Sequence, residues 1–118
     1  MGVRYRHPAR RLERLRRELA AVLPRIIDAQ TDQVILVGSA ARGTPGPTSD
    51  LDLIVVRRDD RPPAQRVHDL YRRARPQVAM DLLVYTPEEL AAARETSSFV
   101  RHALRDGEIV YDRGRALA

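Results

Sequence analysis

Cysteine and lysine are both missing from this sequence of 118 residues. Without cysteine there is no disulfide framework and no thiolate metal site, and the chain suits a reducing compartment. All 21 basic residues are therefore arginine, a bias that carries no mechanism of its own. No apolar signal core follows the basic opening MGVRYRHPARR, and no run approaches membrane-spanning length. Internal repeats and low-complexity linkers are absent as well. The expectation from these absences is a cytoplasmic protein with no membrane association, folded as one domain over residues 1–118.

Hydrophobic residues make up 43% of the chain and charged residues 31%, a balance that supports a packed core and argues against disorder. The net charge of +5 is uneven. Between Arg4 and Arg17 seven arginines face one acid, Glu13, which leaves −1 for the rest of the chain. Such a patch could meet nucleic acid or an acidic protein. Tyr5 is the only Phe, Trp or Tyr interleaved there to stack bases, so a solvated helix face is the favoured reading.

Leu12, Leu15, Leu19, Val22, Leu23, Ile26 and Ile27 recur at helical spacing, which predicts a helix over about 9–28 that begins at Pro8 and is kinked or divided at Pro24. A strand over 33–37 follows and stops at Gly38. "SAARG" is expected to make at most a turn or two of helix, with Ser39 as its cap and Gly43 as its stop. The stiff loop "TPGPTS" leads into a second strand, "DLDLIVV", which the polar "RRDDRPPAQ" ends. A helix over about 63–75 and a third strand, "QVAMDLLVY", come next. "TPEEL" opens a helix with Thr86 as cap and Glu89 completing a capping box. Ser97 or Ser98 starts a further helix, and Asp106-Gly107 turns the chain into a last strand, "EIVYD". The class is α/β (α+β), a mixed sheet of three to five strands backed by helices.

Chemistry concentrates in residues 38–81. Asp50 and Asp52 share one face of their strand while Leu51 and Leu53 share the other. Two carboxylates so placed repel one another and resist desolvation, unless a divalent cation sits between them. Oxygen ligands at this spacing suit Mg²⁺ or Mn²⁺. Asp81, flanked by apolar residues in mid-strand, completes a three-acid cluster if the third strand neighbours the second. Its competing role is a sheet-edge residue paired with an arginine. The turn at Gly38 and Ser39 offers backbone N–H groups to an anion, and Arg42 could neutralise a departing pyrophosphate. Ser49 caps the loop or touches the donor. His68 and His102 stand at no metal-like spacing and read as surface or core residues. Tyr71, Tyr85 and Tyr111 read as packing or interface residues.

Gly38-Ser39, ten intervening residues, Asp50-x-Asp52 and a later-strand Asp81 together resemble the active-site signature of the DNA polymerase β-like nucleotidyltransferase superfamily. "GSAARG", "SDLDLIVV", "MDLLVYTPEEL" and "SSFVRHALRDGEIVY" are similar in order and spacing to its minimal nucleotidyltransferase group, the antitoxin partners of HEPN toxins. The resemblance implies the nucleotidyltransferase fold, a nucleoside triphosphate donor (usually ATP) and two Mg²⁺ ions, with Mn²⁺ as a substitute. It implies metal binding and catalysis by Asp50, Asp52 and Asp81, and phosphate binding by Gly38 and Ser39. It further implies AMP transfer onto a HEPN-type partner protein in a hetero-oligomer. Two rival functions stand beside this one: a non-catalytic antitoxin that blocks its toxin by occlusion, and a small-molecule, antibiotic-type nucleotidyltransferase.

Overall fold

A computed structural model describes residues 8–43 and 51–115. Helix α1, Pro8–Ile26, leads into strand β1, Thr31–Val37, and the single-turn helix α2, Gly38–Ala41. Strand β2, Leu51–Arg57, and helix α3, Pro63–Ala74, precede strand β3, Met80–Tyr85. Helices α4, Pro87–Thr96, and α5, Ser98–Asp106, then bring the chain to strand β4, Glu108–Asp112, and a final 3-10 turn, Arg113–Arg115.

The four strands form one mixed sheet in the order β3-β2-β1-β4. β1 is antiparallel to both β2 and β4, and β2 is parallel to β3. The β2–β3 crossover runs through α3, as a parallel pair requires. Period-two alternation divides the core. Leu51, Leu53 and Val55 of β2 join Leu15, Leu19 and Val22 of α1 and Leu70 of α3 on one face. Ile54 and Val56 turn to the other face and meet Leu90 of α4 and Val100 of α5. The sheet is therefore helix-covered on both sides, within the strand number expected.

α1 is not divided at Pro24 but continues through it to Ile26. Proline in the last turn removes only the bond to the carbonyl four residues back, and Ile27 N still donates to Leu23 O at 3.0 Å. The capping box at Thr86 forms as read: its Oγ1 accepts from Glu89 N at 3.1 Å, and Glu89 Oε1 accepts from Thr86 N at 2.9 Å. Ser97 Oγ accepts from Val100 N at 3.2 Å and caps α5.

Arg57 is a larger departure. The polar segment that was to end β2 instead supplies its last residue, and the Arg57 side chain is fully buried. Its guanidinium donates to Asp59 at 2.5 Å, Asp28 at 2.6 Å and Gln30 at 2.9 Å. Hydrogen bonds from Arg61 hold the Asp59 carboxyl well below the usual range against the opposing effect of burial, with the Arg57 charge assisting. At Asp28 burial is the largest influence and pushes upward, yet bonds from Arg73 and Arg57 outweigh it and the net shift is down. Asp69 joins Arg61 and Arg73 to the same network. A second clamp, Arg66 on Glu89 at 2.5 and 3.1 Å, ties α3 to the cap of α4. Both assemblies brace the sheet away from the mouth where β1 ends and β2 begins.

Candidate active site

β2 and β3 each deliver one acid to the α5 side of the sheet. Leu51 and Leu53 are buried beneath α1 and α3, so alternation turns Asp52 the opposite way. Met80 and Leu82 bury on that same α1 side and turn Asp81 with Asp52. The parallel register pairs Asp52 directly with Asp81, across strands about 4.8 Å apart. Asp52 is half-buried and Asp81 exposed. Side-by-side carboxylates are hard oxygen donors of one sign, a set that suits a divalent cation.

β1 ends against this pair. Val37 is the register partner of Asp52, and the next residue, Gly38, has φ +75°. A Cβ on Gly38 would stand inside van der Waals contact with Asp52 Oδ2 and 3.3 Å from its Cγ. Only glycine allows the left-handed turn and the close approach together. α2 then runs for four residues and is followed by Gly43, also at φ +75°. Gly43 is the stop foreseen, but Ser39 is not the cap. Val37 occupies the N-cap position without a side-chain bond, and Ser39 lies inside the helix. One turn sums few peptide dipoles, so attraction for an anion here comes from local N–H groups and Arg42 rather than a macrodipole.

Gly38, Arg42, Asp52 and Asp81 line one cavity of about 760 Å³, a volume suited to a nucleotide-sized ligand. Ser39 is half-buried beside it and does not line it. Asp50 and Ser49 lie outside the described residues. Among the described residues no group of three His, Cys, Asp or Glu side chains is gathered closely enough to hold a metal. The described acids at the mouth are the pair Asp52 and Asp81. Asp81 does stand on an edge strand of the sheet, and no ion pair among the described residues ties it to an arginine.

The cavity also takes Tyr71 from α3, Leu83 from β3, and Phe99, His102 and Asp106 from α5. His102 is exposed, as a surface reading expects, and it also lines the cavity, as does the exposed Tyr71. The spacing 99, 102, 103, 106 marks one helix face. Its direction depends on Val100 docking into the α4–α5 core. His68 and Tyr85 line an adjoining groove beside α3 that shares Val67, Tyr71 and Leu83 with the cavity, and Tyr111 packs against the α1 side of the core.

Residues 12–115 match the family model described as Nucleotidyltransferase domain. The fold is similar to a crystal structure from Sulfolobus solfataricus, of a protein provisionally described as a nucleotidyltransferase. The TM-score is 0.68 at 17% identity, covering 97% of this chain and 96% of that one. At that identity the likeness concerns the fold. No curated protein matches the sequence significantly.

Proposed function

The chain belongs to the Nucleotidyltransferase domain family, and we propose that it moves a nucleoside monophosphate, AMP from ATP, onto a hydroxyl of a partner protein. One observation carries the reading: Asp52 and Asp81 stand together on the face that the Gly38 turn closes. The Gly38 turn and Arg42 hold the polyanionic tail of the donor by N–H and guanidinium contacts. Asp52 and Asp81, joined by Asp50, are the residues to hold Mg²⁺. A cation bound there supplies charge neutralisation at the α-phosphate and lowers the pKa of the attacking hydroxyl. Asp81 Oδ, the exposed acid on the edge strand, takes the hydroxyl proton, directly or through water. The hydroxyl oxygen bonds to the α-phosphorus, the bond from that phosphorus to the bridging oxygen breaks, and pyrophosphate leaves on the Arg42 side.

The partner we propose is a HEPN-type toxin, with this chain as its antitoxin. The test uses α-labelled ATP, Mg²⁺ and the product of the adjacent gene. The expected result is label on that product with wild type and none with Asp52→Asn/Asp81→Asn. Equal labelling by both would contradict the reading. Toxin neutralisation by the double variant would favour occlusion without catalysis.

A further inference from the structure

We propose that the end of the cavity away from the phosphate turn is a nucleobase clamp, in which Phe99 and Leu83 cover the faces of the base and Tyr71 closes one edge. The inference rests on the nucleotidyl-transfer reading and extends it to how the donor is gripped and selected.

Four large hydrophobic side chains are exposed among the described residues: Tyr71 at 39%, Leu83 at 39%, Phe99 at 64% and Ile109 at 42%. Single exposures of this kind are ordinary on a protein surface. Here three of the four line one cavity, and each comes from a different element. Packing does not account for them, because none of the three belongs to either buried core cluster. A concave wall built from separate elements and left apolar is the form of a ligand site.

The cavity therefore has two unlike ends. Gly38, Arg42, Asp52 and Asp81 make a charged end, and Tyr71, Leu83 and Phe99 an apolar one. A nucleoside triphosphate has the same polarity: a polyanionic tail, a sugar, and a flat base with apolar faces. The spacing between the ends follows from the elements. Leu83 lies two residues beyond Asp81 on the same face of β3, about 7 Å along the strand. α5 spans about 10 Å from Phe99 to Asp106 on the face that lines the cavity.

This wall also sets the selectivity. Stacking tolerates every base, whereas discrimination needs directed hydrogen bonds left unpaired by the wrong one. At the apolar end the polar groups are the Tyr71 hydroxyl and His102, both on exposed side chains. The clamp thus requires a base but reads it weakly, and favours purines by their larger stacking area.

The test measures calorimetric affinities of Mg²⁺ complexes of inorganic tripolyphosphate, ATP, GTP, CTP and UTP. Wild type is compared with Phe99→Ala, Leu83→Ser and Asp52→Asn, with folding checked by circular dichroism. Phe99 and Leu83 are exposed, so their replacement leaves the core intact. Wild type is expected to bind ATP and GTP similarly and about tenfold more tightly than tripolyphosphate. Phe99→Ala should lose most of that base-dependent gain and leave tripolyphosphate binding unchanged. Wild-type ATP affinity in both Phe99→Ala and Leu83→Ser would overturn the clamp. The same holds if those variants keep ATP affinity and lose transfer to an acceptor, which would assign the apolar end to the acceptor. Tripolyphosphate binding with no gain from a base would overturn the clamp alone. Binding of neither ligand, or binding insensitive to Asp52→Asn, would overturn the nucleotidyl-transfer reading with it.

Discussion

Asp52 and Asp81 are register partners in the parallel β2–β3 ladder and face the same cavity. Neither side chain belongs to the core, so replacing either with asparagine removes charge without removing packing. Nucleotidyl transfer should fall at least about 100-fold in each single variant, with an unchanged circular dichroism spectrum. The measurement is single-turnover transfer from labelled ATP.

Gly38→Ala should harm both stability and ligand binding. The left-handed backbone at φ +75° is strained for alanine by about 1–3 kcal/mol. The new methyl also pushes on the Asp52 carboxylate. Urea denaturation should show the stability loss, and triphosphate affinity should fall in the fraction that remains folded. An alanine variant with wild-type affinity would detach the turn from the site.

Arg57→Met should destabilise the protein by about 3 kcal/mol, at the lower end for breaking a buried ion pair. The loss is limited because Arg61 still pairs with Asp59 and Arg73 with Asp28. The cost should appear in the urea midpoint, with transfer activity of the folded protein retained.

The carboxyls of Asp28 and Asp59 titrate below their ordinary range in the folded state. A depressed folded pKa adds stability that is complete above the unfolded value, about 3.9, and is lost as pH falls through the folded value. The urea midpoint should therefore be steady near neutrality and decline below about pH 5. Asp28→Asn/Asp59→Asn should start less stable at pH 7 and show a shallower acid decline. An equally steep decline in that variant would place the acid sensitivity elsewhere.

Local signals were the legible ones. Leu-Asp-Leu alternation fixed the face of Asp52, and Thr86, Glu89 and Ser97 announced two helix starts through bonds made within three residues. Features set by distant contacts were hidden. Nothing near Arg57 marks it as buried, because Asp28 and Gln30 precede it by 29 and 27 residues. The cavity face of α5 depended on which side Val100 would bury, which only the assembled sheet decides. Pro24 is a different case: so little helix follows it that its missing N–H does not divide α1.

Mn²⁺ binding in the presence of ATP, followed by electron paramagnetic resonance, interrogates the acid pair itself. Wild type is compared with Asp52→Asn and Asp81→Asn. Wild type should take up the ion with nucleotide, and each variant should weaken this uptake about tenfold or more. Undiminished uptake by both variants would contradict the metal-holding role of the pair.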